Sequence, residues 1–252
     1  MVPALSRRGF VAGAAGVAAL GWAGLPGRAG AATIPGTGQI PFSVFRNGDD
    51  AMGYHRLRFS REGDRFIVDK EIGFEVKVAF ITAYRYKHTN REVWQDGRLV
   101  SLDTRTNDDG DKHWVKGQAK DGAFAVESSR GSLFAPPDII PTSYWNIATL
   151  KAPRLLDTQR GLLMDVAIDD KGEQVIRAGG QDIPARHHTI RLLTNPPGAT
   201  NAIEIWYDRN DAWVKLAFKA KGQDIGYVLD PEGLVRPGQA AEVVFGQAGA
   251  RN

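Results

Sequence analysis

Val76-Lys77-Val78-Ala79-Phe80-Ile81-Thr82-Ala83-Tyr84-Arg85-Tyr86-Lys87 alternates between two kinds of residue. Val76, Val78, Phe80, Thr82, Tyr84 and Tyr86 fall on one face of an extended chain, with Lys77, Arg85 and Lys87 on the other. Successive side chains of a strand point to opposite sides, so the stretch predicts one long strand with an apolar face and a wet one. Shorter runs of the same character occupy 54–60, 65–72, 92–95, 99–106, 112–118 and 123–127, and then 162–168, 174–178, 185–193, 203–207, 213–219 and 225–229. Between them sit Asp96-Gly97, Asp109-Gly110, Asp121-Gly122, Lys171-Gly172, Gly179-Gly180 and Lys221-Gly222. Such pairs tolerate the positive φ that tight hairpin turns demand. The fold class that follows is all-β, an antiparallel meander. A flat sheet of so many strands is unfavourable, so it is expected to curl into a half-barrel or barrel.

One segment interrupts the meander. Residues 128–157 carry Pro136-Pro137, Pro141 and Pro153, and proline denies a donor to any ladder. Thr142 or Ser143 is expected to cap one short helix through residues 144–148, which Pro153 stops. This proline-rich crossover either closes one end of the barrel or folds over it as a lid.

Ser6-Arg7-Arg8-Gly9-Phe10-Val11 opens an apolar stretch diluted by Gly13, Gly16, Gly21 and Gly24, which ends at Ala29-Gly30-Ala31-Ala32. A basic start, an apolar middle and small residues before a cut make a signal peptide over 1–31. A single all-β domain over 32–252 then remains, with no membrane span once the signal is removed. The stretch resembles a twin-arginine (Tat) signal. That resemblance implies export of a folded protein to the periplasm or beyond, with the Tat machinery as partner.

The formal net charge of +3 comes from 32 Lys and Arg against 29 Asp and Glu. The first 31 residues hold Arg7, Arg8 and Arg28 and no acid, so the remainder is balanced at 29 of each. A balanced domain lacks the pull expected of a nucleic-acid binder. The absence of cysteine removes disulfides, thiolate metal sites, iron-sulfur clusters and a cysteine nucleophile. Neither HExxH nor G-x-S-x-G is present, so no metal or cofactor is called for. Adjacent His187 and His188 point to opposite faces of a strand. His188 shares its face with Ile190 and Leu192 and is expected to be the buried, neutral one.

Glu92-Val93-Trp94-Gln95-Asp96 is echoed by Glu204-Ile205-Trp206-Tyr207-Asp208, each followed by a turn and an apolar strand. Two faces of tryptophan flanked by carboxylates suit a sugar or a cation, although such a ring often lies under lysine stems instead. The pairs Glu92/Asp96 and Glu204/Asp208 are also the carboxylates available for glycoside chemistry.

Pro141-x-Ser143-Tyr144-Trp145-Asn146, Leu155-Leu156-Asp157-Thr158-x-x-Gly161, and Trp206-Tyr207-Asp208 followed by Val214-Lys215-Leu216 resemble a bacterial family known only as a domain of unknown function. The chain is similar, more distantly, to periplasmic lipoprotein carriers with an open half-barrel. The resemblance implies a curved antiparallel sheet with a concave apolar face, and it supplies no established activity or catalytic residues to carry over. The leading expectation is non-catalytic binding of an apolar or amphipathic small molecule on that face, by Tyr84, Tyr86, Trp94, Tyr144, Trp145, Asn146, His188 and Trp206. An envelope hydrolase acting on sugars or esters is the alternative, and a structural or interaction protein of the envelope the third.

Overall fold

The computed structural model describes residues 32–78, 81–194, 200–234 and 241–243. The expected signal segment, 1–31, and Phe80 lie outside the described residues. The first half forms β1 (Ala32–Ile34), β2 (Gln39–Arg46), β3 (Asp50–Glu62), β4 (Arg65–Val78), β5 (Ile81–Gln95), β6 (Arg98–Asp108), β7 (Asp111–Lys120), β8 (Ala123–Ser128) and β9 (Gly131–Ala135). The second half forms β10 (Ile140–Pro141), β11 (Arg154–Leu156), β12 (Leu163–Ala178), β13 (Gln181–Leu192), β14 (Ala202–Asp208), β15 (Trp213–Ala220), β16 (Gln223–Leu229) and β17 (Ala241–Val243).

Fifteen strands make one sheet in the order β10-β11-β12-β13-β14-β15-β16-β2-β3-β4-β5-β6-β7-β8-β9, and β1 pairs with β17 apart from it. Every pairing is antiparallel except β10 with β11. The two outermost strands, β9 and β10, are consecutive in the chain and joined only by 136–139. Five extended Cα steps span at most about 18 Å, so the sheet curls until its two edges lie within that reach. The edges do not hydrogen-bond. The fold is therefore the expected all-β half-barrel, with the proline-rich connection across its seam.

Two turn readings change. The run 76–87 is two strands and not one: Val76 pairs with Tyr84, and Phe74 with Tyr86. Directly opposed residues of a hairpin share a face, which is why an alternation that runs through the reversal still reads as one apolar stripe. Conversely, Lys171-Gly172 is not a hairpin. β12 runs through it, and the register shifts between Asp170 and Gly172, a bulge that accommodates positive φ at Gly172. Asp96-Gly97, by contrast, has both φ values positive and joins Gln95 to Arg98 across a two-residue turn, as a type I′ hairpin requires.

The concave face is dense. Phe42, Leu57, Val68, Trp94, Val115 and Phe124 are all fully buried. The crossover enters this concavity rather than lying over it as a lid: Trp145 meets Phe59, Phe66 and Trp94 at ring centroid distances of 5.5 to 5.6 Å. Its single helical turn is a 3-10 helix at Ile147–Lys151, capped by the Asn146 side chain, which accepts from the Ala148 amide. The cap is thus Asn146, and not Thr142 or Ser143. Both of those positions precede Tyr144, whose φ of 63° is incompatible with helix propagation.

Candidate functional site

The register stacks a polar ladder on the concave face. Leu57, Lys70, Asn90 and Thr104 form one cross-strand row over β3 to β6, and His55, Ile72, His88 and Thr106 form the next. A third row, Phe74 and Tyr86 with Val76 and Tyr84 beyond it, continues the face. Period two keeps all of these side chains pointing inward, so apolar strand neighbours carry buried polar groups with them.

Lys70, His55, His88 and Asn90 are all nearly inaccessible. The Lys70 ammonium donates to Thr158 Oγ1 at 3.2 Å and, at 3.4 Å, to the Thr142 carbonyl. Thr142 belongs to the crossover and Thr158 to the connection just past it, between β11 and β12. Burial lowers the Lys70 pKa to about 8, against the pull of Glu92 and Asp157. Burial first, then the nearby ammonium, holds the His55 and His88 imidazoles well below the usual histidine range. His88 Nδ1 lies 2.8 Å from Thr106 Oγ1, while His88 Nε2, both His55 nitrogens and Asn90 Oδ1 have no partner among the described residues.

Above this floor stands an aromatic collar, in which Phe74 and Tyr86 are half-buried and Tyr227 is buried. Phe74 stacks on Tyr86 at 5.4 Å and reaches Tyr227 at 6.4 Å, and Tyr227 lies 5.4 Å from His55. The Tyr86 hydroxyl donates to Gln159 Oε1, Gln159 Nε2 donates to Asp108, and the Tyr84 hydroxyl donates to the other Asp108 oxygen at 2.8 Å. The connection between β11 and β12, just past the crossover, is thereby latched to the collar. Burial and the Asp108 carboxylate push the Tyr84 hydroxyl upward in pKa, and burial does the same for Tyr86. Both remain neutral donors over the physiological range.

The eight expected ligand residues do not gather in one place. Tyr84 and Tyr86 belong to the collar. Trp94 and Trp145 lie deeper, where both indoles donate to Glu92 Oε2 at 2.9 and 3.2 Å. Tyr144 packs on Trp213 and accepts the Tyr207 hydroxyl on its carbonyl at 2.7 Å. Asn146 is spent on its cap. His188 is buried on the face of Ile190, against Tyr207, and burial lowers its pKa. Trp206 is on the convex side, sandwiched between His187 at 4.3 Å and the Lys215 ammonium at 4.7 Å.

The E-x-W-x-D echo therefore resolves into opposite orientations. Glu92 and Trp94 face inward and are sealed, because β5 alternates in phase with Lys70 across the ladder. On β14 the inward positions are Ile203, Ile205 and Tyr207, leaving Glu204 and Trp206 outside. Asp96 and Asp208 are turn residues, the first at positive φ and the second accepting from the Asn210 and Ala212 amides. Neither carboxylate pair faces a common opening. Sequence reading missed Lys70, His55 and His88, whose inward phase within mixed runs was the available signal. Among the described residues no three His, Asp or Glu side chains are grouped to hold a metal, and no helix is long and apolar enough to cross a membrane.

The half-barrel is similar in structure to a β-barrel-like protein of domain of unknown function DUF1849 from Brucella abortus. The TM-score is 0.58 at 9% identity, covering 79% of this chain and 97% of that one. At that identity the likeness is one of fold. No curated protein matches the sequence. A family model, Domain of unknown function (DUF6134), matches residues 42–230, from within β2 to just past β16, which takes in the sheet and its crossover. With most of its length so matched, the chain belongs to the DUF6134 family.

Proposed function

We propose that the protein is a non-catalytic binder of an amphipathic small molecule with an anionic head. The head lies on the His55, His88 and Lys70 floor, and the apolar part lies against the collar of Phe74, Val76, Tyr86 and Tyr227. The observation that carries this reading is the set of buried imidazole nitrogens without partners among the described residues, beneath a cluster of aromatic rings that is only partly buried at Phe74 and Tyr86. Buried polar atoms are normally satisfied, and ligand sites pair a mostly apolar wall with a few convergent polar groups. An ammonium offers three donors, and the two bonds Lys70 makes are long, which favours an acceptor-rich head. The inward crossover occupies the deeper concave face, so the ligand is confined to the collar end, a smaller site than the whole sheet offers. The proposed setting is the periplasm or the outside of the cell, a reading supported by the twin-arginine-like start of the sequence.

The test is titration of the purified protein with a fluorescent long-chain fatty acid, alongside native mass spectrometry of protein taken from its own envelope. Saturable binding that is weakened by Tyr86→Ala and by Lys70→Met is expected. No saturable binding, or binding undiminished in a folded Lys70→Met variant, overturns the proposal.

A further inference from the structure

An opening lies away from the collar, where the 3-10 helix of the crossover meets β13 and the turn after β14. It is a cleft of about 670 Å³, within the range of small-molecule sites. Ile147, Ala148 and Leu150 give it one aliphatic wall, and the turn Asp208-Arg209-Asn210-Asp211 forms the other, with Lys151, Glu173 and Arg186 on the rim. At its floor are Tyr207 and His188. His188 is more than nine-tenths buried, and its Nδ1 has no partner among the described residues. The Tyr207 hydroxyl is already committed to the Tyr144 carbonyl.

The lining charges cancel. Arg186 is paired with Asp170, and Asp208 is occupied by the amides of its own turn. Lys151 and Arg209 then stand against Glu173 and Asp211. Two cations and two carboxylates leave the lining without net charge, so a single ion finds no matching field. A molecule whose every polar group both donates and accepts does fit. Hydroxyls have that property, and an aliphatic wall suits the C–H face of a ring.

We infer that this cleft is a binding site for a neutral, hydroxyl-rich small molecule of sugar chemistry, with one hydroxyl bonded to His188 Nδ1. The imidazole is held neutral near pH 7 by its burial, so it adds no charge to the balance. The inference does not involve Lys70, His55 or the collar, and it stands or falls independently of fatty-acid binding.

The probes are glucose and maltose, followed by amide NMR on the folded protein, with glycine betaine and citrate as zwitterionic and anionic contrasts. Saturable shifts confined to residues 147–151, 186–188 and 208–211 are expected with a sugar, in the millimolar range or tighter. Asp211→Asn and Arg209→Gln sit on an exposed turn and are expected to keep the fold while weakening binding roughly tenfold. His188→Ala is expected to abolish it. Absence of saturable shifts with both sugars overturns the inference, as do shifts undiminished in the two folded turn variants, or saturation of the same residues by betaine or citrate alone.

Discussion

The Trp145 indole donates to Glu92 Oε2 at 3.2 Å, joining the crossover to a strand position 53 residues earlier. Trp94 donates to the same oxygen, and Asn90 Nδ2 donates to the other at 2.8 Å. One fully buried carboxyl group thus accepts from β5 and from the crossover together. Glu92→Ala removes the acceptor for three buried donors, at a cost of about 3 to 5 kcal/mol. Glu92→Gln keeps one acceptor oxygen and turns the other position into a clashing donor, so it falls between. Urea unfolding of the three proteins checks the order, and an alanine variant within about 0.5 kcal/mol of the parent contradicts it.

This relationship also marks how far the sequence could be read. Alternation and Asp-Gly turns made the strands and hairpins legible because both are local. β2 was not, since Pro41 and the short spacing to Asn47-Gly48 mask a strand that sits in the middle of the sheet, between β16 and β3. Nor was the destination of the crossover. The prolines show that it leaves the ladder, but whether Trp145 covers the barrel or fills it depends on Phe59, Phe66 and Trp94 converging from three strands, and no local pattern encodes that. The inward placement of Lys70 and the two histidines is not legible for a related reason. A lysine in a strand reads as a solvent-facing residue unless its phase is followed across Leu57 and Asn90.

Lys70 makes stability depend on pH in an unusual direction. Its folded pKa of about 8 lies below the unfolded value of about 10.4. Between those values the unfolded chain binds a proton that the native one has released, and stability rises with pH. The difference in unfolding free energy between the parent and Lys70→Met is expected to shift by about 3 kcal/mol in the parent's favour from pH 7 to pH 10.5. Taking the difference cancels the raised tyrosines, which act oppositely at the alkaline end. Parallel pH profiles for the two proteins rule the effect out.

The histidines act on the acid side. His55 and His88 have folded pKa values well below 6.5, so as pH falls through that value the unfolded chain gains protons the native state refuses. Stability is full above about pH 6.5 and is lost below it, by about 1.4 kcal/mol per pH unit for each histidine. His55→Phe, which suits the ring cluster of Phe42, Trp213 and Tyr227, is expected to flatten the decline between pH 6.5 and 5 by about 2 kcal/mol. Denaturant melts across that window measure it.

Gly53 sets the backbone beside the collar. A Cβ there would lie 1.9 Å from the Gly73 carbonyl oxygen on β4, at a φ of +157°. The obstacle is backbone and cannot swing aside, so Gly53→Ala has to open the β3–β4 ladder at the row of Phe74. A loss of about 2 kcal/mol or more is expected, read as a fall in melting temperature. An unchanged melt would mean that the strands part there freely.

Trp145→Ala tests whether the crossover occupies space on the concave face that a ligand could take. The indole is fully buried among Phe59, Phe66 and Trp94, and removing it costs about 3 to 5 kcal/mol through lost contacts and the cavity left behind. The space left is lined by those rings and by the Glu92 carboxylate that loses the indole donor, so a flat apolar guest with one N–H donor matches it. Free indole at ten times its dissociation constant then returns about 1.4 kcal/mol by mass action, seen as a higher melting temperature for the variant and none for the parent. Rescue of both proteins equally would show that indole binds elsewhere. Rescue of neither, with the variant still folded, would show that the walls collapse inward when Trp145 is lost, so that the deep concavity exists only because the crossover fills it.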